Sequence, residues 1–376
     1  MHLVHSLLAL VPLVAAEFVP GGSFGRPTTG PYNNCSGTLT SRPKDLAIDT
    51  LPNIGPGDQG GWERWDLTMY QTGLFLNLRW QQGDPASYSS DPCDATFELS
   101  AKFDNGKTYN TRITGEKLTF TNSSTYSISI GKNILTWDDS QTWFNATLKL
   151  NGLTASIGSE SIMLDKFSPY AGGIIGQLTE GLYCGVPMTR GYSYVGSISF
   201  PWGEKVTLDA QSILFHMFAE EPLQALTTNY AVHTFRSAGM EFGDTFIYEN
   251  SRAPNTSEYS AFFLGRAETP GSGYVPYTIY AGTNSDLLSI TNINQTSTEA
   301  QLAGCNNTNF VPFTWNYTLP SPTLEQIDSA GGKMAFIVIG NLTAQEPFGT
   351  EYVDTQWGIG LAYSYSAPSQ VETPGR

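Results

Sequence analysis

The chain is short of charge, and shortest of cations. Nineteen Lys and Arg stand against 34 Asp and Glu in 376 residues, a formal charge of −15. That balance repels phosphate backbones and anionic lipid surfaces, which excludes nucleic acid as a partner. Histidine is as scarce. His2 and His5 lie at the extreme N-terminus, which leaves His216 and His233 for the body of the protein. Two histidines cannot build a three-His zinc site, and neither lies in an HExxH motif, so no metal is expected. No Gly-rich phosphate loop follows a strand and opens a helix, so no cofactor is expected. Helical periodicity is nearly absent, with 219–229 the one candidate for a short helix or connector. Past the N-terminus no apolar run approaches the roughly 20 residues of a membrane-spanning helix.

Familiar hydrolase signatures fail on context. Gly21-Gly22-Ser23-Phe24-Gly25 spells G-x-S-x-G but lies in a Gly/Pro-rich lead-in, without the strand–turn–helix that a nucleophile elbow needs. There is no dense acidic strand motif of a glycosidase, and Glu220-Glu221 reads as a flank of the connector. Cysteine is limited to Cys35, Cys93, Cys184 and Cys305. An even count in a secreted chain suggests two disulfides, with three possible pairings. Cys35–Cys93 and Cys184–Cys305 is the pairing expected, since it keeps each loop local. The spacings are too wide for a CxxC metal or redox site.

What the chain has begins with residues 1–16, MHLVHSLLALVPLVAA. Leu7 to Ala15 is an apolar core too short to span a bilayer, and Val14 and Ala16 are the small residues of a cleavage site. A signal peptide removed near Ala16 is expected, with the mature chain secreted or held in the secretory lumen. Sequons at Asn34, Asn122, Asn145, Asn255, Asn294, Asn306, Asn316 and Asn341 agree, and some are expected to carry glycan on exposed surface.

Beyond the lead-in, period-two patterning dominates and predicts an all-β protein. Leu74, Leu76, Leu78 and Trp80 alternate with Phe75, Asn77 and Arg79. Tyr126, Ile128 and Ile130 alternate with serines; Phe144, Ala146, Leu148 and Leu150 alternate with Trp143, Asn145, Thr147 and Lys149. Asn105-Gly106 and Asn151-Gly152 mark tight turns. Ala335 to Ile339 is an unbroken apolar run, consistent with a strand buried on both faces. The expected layout is an N-terminal β unit over 17–220, a second over 221–365 and a tail over 366–376. Aromatics at 12% against 14% charged residues suit an apolar pocket or an ordinary β core.

One segment stands out: Trp62-Glu63-Arg64-Trp65-Asp66. In a strand Trp62, Arg64 and Asp66 share one face, and Glu63 and Trp65 the other. One acid can then face a cavity while the second faces solvent or a partner strand. The competing reading is an aromatic strand with a surface ion pair. His216 and His233 read as satisfied core or surface histidines, or as an imidazole hydrogen-bonding in a pocket.

WERWD resembles the W-E-x-W-E segment of the fungal lipocalin-like (calycin-type) Diels–Alderases, which close decalin rings on polyene tetramic acids. Later features follow the family's order. Leu74–Trp80 is similar to its Trp-bearing strand, and Ser100–Gly106 to its strand ending in an acidic-Gly turn. Cys184-Gly185-Val186-Pro187-Met188, Gly331-Gly332-Lys333 and Trp357-Gly358-Ile359-Gly360 resemble later pieces. The resemblance spans roughly 60–365. It implies an N-terminal β-sandwich-like domain, a C-terminal lipocalin-like barrel and an apolar pocket between them. It places Asp66 at a pocket glutamate, Ser100 at a substrate-binding asparagine, Trp80 near a pocket tyrosine and Lys333 at a carbonyl-binding lysine. Asp66 and Lys333 are thus the implied catalytic residues, with Trp65, Trp80, Ser100, Phe218 and His233 as substrate contacts.

The secretion signals make the chain similar to the branch of hetero-Diels–Alderases that join a tropolone o-quinone methide to a humulene-type sesquiterpene. The implied partner is an apolar polyketide or terpenoid. The implied chemistry is juxtaposition of diene and dienophile, carbonyl activation by Lys333, and proton donation by Asp66 to a leaving hydroxyl. Asp66→Ala and Lys333→Ala are expected to lose product while staying folded. A decalin-forming Diels–Alderase, a secreted lipocalin-like carrier and a carbohydrate-active β enzyme are the rival readings.

Overall fold

The computed structural model describes residues 32–39, 52–137, 143–159, 174–179, 182–185 and 194–226, and the strands between 229 and 366. Side chains are described for Cys35, Ser36 and most positions from 52 to 226. The expected signal peptide, the G-x-S-x-G letters, Asn255, Asn294, Asn306, Cys305 and the tail beyond Ser366 lie outside the described residues.

β1 (Tyr32–Asn34) and β2 (Gly37–Leu39) form a small hairpin. Twelve antiparallel strands then make one sheet. They are β3 (Trp62–Gln71), β4 (Leu74–Gln82), β5 (Asp94–Phe103), β6 (Thr108–Asn122), β7 (Tyr126–Ile130) and β8 (Asn133–Trp137). β9 (Phe144–Leu150), β10 (Leu153–Ser159), β11 (Ile174–Thr179), β12 (Leu182–Gly185), β13 (Tyr194–Ser199) and β14 (Lys205–Ala219) follow. α1 (Leu223–Leu226) is the four-residue helix of the connector, entered from Pro222.

The sheet closes on itself through its two long strands. The first half of β6 pairs β5 and its second half pairs β7. The first half of β14 pairs β13 and its second half pairs β3 and β12. The result is a two-layered sandwich whose corners are β6 and β14, an arrangement that leaves no open edge there. One layer runs β12-β14-β3-β4-β5-β6; the other runs β6-β7-β8-β9-β10-β13-β14.

The core lies between the layers. Leu67, Leu76, Leu78, Trp80, Phe97 and Leu99 meet Ile128, Leu135, Phe144, Leu148, Ile157 and Ile198 there. In the second layer the alternation has its ordinary meaning: β7 and β8 are buried at every second residue, and β9 alternates buried with exposed. Asn151-Gly152 is a two-residue turn with positive φ at both positions (27° and 84°), which Asn and Gly tolerate and which matches the hairpin's twist. β4 is different. All nine of its residues are buried, so its polar alternates are interior too.

A disulfide joins Cys35 to Cys93 and ties the first hairpin to the segment before β5. Ser36 pins the same hairpin to β6: its Oγ donates to the Leu118 carbonyl and accepts from the Phe120 amide, both at 2.8 Å. Closing a loop of 58 residues' separation removes chain entropy worth about 4 kcal/mol in the loop-closure model.

The remaining strands form a ten-stranded antiparallel sheet. They are β15 (Asn229–Ser237), β16 (Asp244–Ser251), β17 (Tyr259–Ala267), β18 (Tyr274–Thr283) and β19 (Leu288–Thr291). β20 (Ser297–Leu302), β21 (Phe313–Thr318), β22 (Glu325–Ile327), β23 (Lys333–Gln345) and β24 (Glu351–Ser366) complete it. Its order is β18-β17-β16-β15-β24-β23-β21-β20-β19, with β22 on β23. β24 runs close to β14, and β16 and β17 run close to β11. The apolar run from Ala335 is a strand, as its composition predicts, inside β23.

Candidate functional site

The Thr72-Gly73 turn sets the register of the β3–β4 hairpin, and that register places Asp66 opposite Arg79. β14 enters on the other side of β3 and brings Met217 opposite Arg64 and His216 opposite Trp65. Each face of this three-strand segment therefore has its own polar group.

On the face turned away from the sandwich core, Asp66 accepts a hydrogen bond from Arg79 Nε at 2.6 Å through Oδ1. Its Oδ2 lies 3.2 Å from Arg64 Nε. Arg64 Nη2 reaches Met217 Sδ at 3.7 Å, and its guanidinium sits 5.5 Å over the Trp62 ring. Thr68 Oγ1 donates to Asn77 Oδ1 at 3.1 Å on the same face. At the margin, Glu98 Oε2 lies 3.8 Å from Arg79 Nη1, and Arg112 Nε lies 3.2 Å from Glu98 Oε1. Arg64, Asp66 and Thr68 are 0% exposed and Arg79 is 1% exposed. Burial pulls the Arg79 guanidinium down, but Asp66, by charge and hydrogen bond, and Glu98 outweigh burial and the like charge of Arg64. The net shift is upward, so Arg79 stays a cation.

The WERWD segment is thus a strand, as read, but its ion pair is not a surface one. Both acids are fully buried, so of the two alternatives for the second acid, solvent or a partner strand, solvent is ruled out. The physical reason is that β3 is central, with β4 and β14 on its two sides and a covered face as well as a core face.

On the core face, Glu63 is an acceptor hub. It takes hydrogen bonds from the Asn53 amide (2.8 and 3.0 Å), Asn53 Nδ2 (3.2 Å), the Ile54 amide (3.1 Å) and Gln82 Nε2 (2.9 Å). His216 Nε2 lies 2.8 Å from Glu63 Oε1, and its ring stacks on Trp65 at 4.7 Å between centroids. Five nitrogens around one carboxylate make this a structural clasp that fastens residues 53–54 to β3. Gly83 completes the corner: its φ is +69° and a Cβ there would run into the Gly61 carbonyl.

The residues singled out from the sequence divide between the two faces. Asp66 and Ser100 belong to the face away from the core, and Ser100 is 9% exposed. Trp65 and Trp80 face the sandwich interior with the core, and Trp80 Nε1 donates to the Asn133 carbonyl at 2.9 Å. Phe218 is buried beside His216, 5.7 Å between ring centroids, on that same inner face. Lys333 opens β23 opposite Ile327 and Ser364, and His233 lies in β15 opposite Ile247 and Ala362. Their side chains lie outside the described residues. Asn145 is an exposed sequon on β9. Among the described residues no cluster of His, Cys, Asp or Glu could hold a metal, and no helix could cross a membrane.

Arg64, Arg79, Glu63 and His216 carry most of the buried polar chemistry, and none was singled out as a site residue. For Arg79 a signal existed: it is a cation inside a leucine run, and hairpin register over Thr72-Gly73 pairs it with Asp66.

No protein-family model matches the sequence, and no curated protein matches it. Solved structures do match. The crystal structure of CghA with Sch210972 superposes with a TM-score of 0.56 at 10% identity, covering 93% of this chain and 97% of that one. Kievitone hydratase from Nectria haematococca superposes with a TM-score of 0.53 at 14% identity, again covering 93% and 97%. At such identities the likeness is one of fold. The fold is all-β, with a β-sandwich-like N-terminal part and a lipocalin-like C-terminal part.

Proposed function

We propose that this chain is a secreted pericyclase of fungal secondary metabolism, catalysing a cofactor-free hetero-Diels–Alder cycloaddition. The substrates of this reading are a tropolone o-quinone methide and a humulene-type sesquiterpene. The observation that carries it is the buried polar face of β3–β5, where Arg64, Asp66, Arg79, Thr68, Asn77 and Ser100 lie on the side away from the hydrophobic core. Six polar side chains on a covered sheet face are costly to bury unless they hold one another or a ligand. A polar edge on an otherwise apolar wall is what orients a polyketide against a hydrocarbon partner.

Two fold neighbours support the reading. CghA was crystallised with the small molecule Sch210972. Kievitone hydratase is named for water addition, and loss of water is the step that precedes the cycloaddition in this reading. The resemblance of the WERWD segment to the lipocalin-like Diels–Alderases supports it independently of fold.

In this mechanism the pocket brings diene and dienophile together, a contribution worth up to about 7–11 kcal/mol in the best-oriented cases. Lys333 donates to the quinone-methide carbonyl, a preorganised contact worth roughly 3 kcal/mol. Asp66 has both oxygens directed at guanidinium groups, so its role in this reading is to position Arg79 and Arg64 rather than to deliver a proton. The signal-peptide pattern of residues 1–16 and the exposed sequon at Asn145 support the secreted part of this reading.

The test is incubation of the purified protein with a tropolone benzylic alcohol and humulene, with products resolved by chiral chromatography and mass spectrometry. A single enantioenriched adduct, formed faster than in the protein-free control, is expected. A racemic mixture at the control rate would remove the reading. A lipocalin-like carrier would instead bind product and leave the isomer ratio unchanged.

A further inference from the structure

We propose that Asn145 carries an N-linked glycan whose first sugar lies on the face of Trp143, a sugar–aromatic contact set up by the alternation of β9. This rests on the secreted part of the proposed function. It adds which asparagine the fold prepares for a glycan and which side chain receives the sugar.

Trp143-Phe144-Asn145-Ala146-Thr147 leads into β9. Phe144 and Ala146 point into the core and are 0% and 1% exposed. Trp143, Asn145 and Thr147 therefore fall together on the water-facing side. Asn145 and Thr147 are exposed, and Trp143 is half-buried. The cross-strand neighbours of Asn145 are small: Thr136 on β8 and Gly158 on β10. A Cβ at Gly158 would stand 2.6 Å from Asn145 Oδ1, so the carboxamide lies over bare backbone that a larger residue would deny it. Room beside the carboxamide, a large apolar surface two residues before it and a hydroxyl two residues after it thus share one face.

The co-reactant is a lipid-diphosphate-linked oligosaccharide of the secretory lumen. Asn145 Nδ2 forms a bond to C1 of its N-acetylglucosamine as the bond from C1 to the diphosphate breaks. Nδ2 gives up one proton, and the diphosphate leaves with the electron pair. Thr147 is the hydroxyl residue that completes the sequon. A β-linked N-acetylglucosamine presents axial C–H groups on one side of its ring, and their slight positive charge matches the negative face of an indole. Residues i and i+2 of a strand are about 7 Å apart, a span that a sugar on Asn145 covers by folding back over Trp143.

The full chain is expressed in yeast twice, once as it stands and once with a borrowed secretory leader fused ahead of Met1. Glycans are released in heavy-oxygen water, and mass spectrometry of the digested protein reads labelled aspartate wherever an asparagine was occupied. With the borrowed leader, Asn145 is expected to be occupied in most molecules, and an unmodified Asn145 there would overturn the inference. If only the borrowed leader brings out protein glycosylated at Asn145, the secreted reading fails while the site is upheld.

The contact with Trp143 is read by how fast peptide N-glycosidase frees the Asn145 glycan from folded protein. Trp143→Ala should raise that rate about fivefold, a factor within the range of one aromatic contact. Trp143→Phe should stay near wild type, and release at other occupied sites should not change. Equal rates in wild type and Trp143→Ala would overturn the inference. If Trp143→Ala is not secreted, proton NMR of wild type trimmed to one sugar per site decides. The sugar-ring signals that Asn145→Gln removes should lie upfield of an N-acetylglucosaminyl-asparagine standard, because an indole shields protons over its face; unshifted signals would overturn the contact. Thr147→Ala also abolishes the sequon, so its effect on unfolding is to be read on protein made in bacteria, without this glycan.

Discussion

The two layers of the sandwich carry the same kind of sequence and put it to different use. On β9, apolar residues alternate with Asn145, Thr147 and Lys149, and those polar residues are exposed. On β4, apolar residues alternate with Asn77, Arg79 and Gln81, and those polar residues are buried. Inner faces of both layers feed one core. What differs is the outer face: one meets water and the other is covered. A polar residue on the first is a solubility device. On the second it needs a partner, and the partners found are Asp66 with two arginines, and Thr68 with Asn77.

The sharpest way to break the comparison is to remove a polar group from each layer. Asp66→Ala leaves the Arg64–Arg79 pair facing each other without their shared carboxylate. It is expected to cost about 3–5 kcal/mol, read by urea unfolding. This revises the expectation that Asp66→Ala stays folded with only product lost; Asp66→Asn is the gentler probe of function. Thr147→Ala on the water-facing side should stay within about 0.5 kcal/mol of wild type. Equal costs at the two positions would mean that the outer faces do not differ.

Next in size is the disulfide. A Cys35→Ser/Cys93→Ser variant should lose about 2–4 kcal/mol and release the first hairpin from the body of the sandwich. A melting temperature unchanged under oxidising conditions would show that Ser36 alone anchors that hairpin.

Smaller still is the exposed cluster at the β5–β6 and β13–β14 turns. Lys107 Nζ lies 3.6 Å from the Trp202 ring centroid and 3.1 Å from Glu204 Oε2. Trp202→Ala should cost about 0.5–1 kcal/mol. Bonds from Trp202 and Lys107 hold the Glu204 carboxyl below its ordinary value of 4.5. A depressed folded value means that the contact is fully present above the unfolded value and is lost as pH falls through the folded one. Trp202 emission should therefore change only below about pH 4.5, and Glu204→Gln should abolish that change.

Sequence made the all-β class legible because alternation on β7, β8 and β9 reports directly on a half-buried sheet. Asn151-Gly152 and the Cys35–Cys93 pairing were equally readable, the first from turn stereochemistry and the second from local pairing. The site was only half legible. Trp62 to Asp66 announced an unusual strand, but alternation cannot say whether an outer face is wet, because covering comes from another part of the chain. That is why Asp66 suggested a surface pair, why Arg79 passed as an ordinary alternate, and why Trp65 and Trp80 were read as pocket walls when they fill the core. Glu63 and His216 are far apart in sequence and meet only because β14 changes partners midway.

The account turns on the covered face of β3–β5 being the substrate surface. A crystal structure with the tropolone–sesquiterpenoid product tests this most directly. The expected result is product density against the outer face of β3–β5, beside Arg79 and Thr68. Product seated elsewhere, or crystals soaked to saturation with that face unchanged and no product bound, would contradict it.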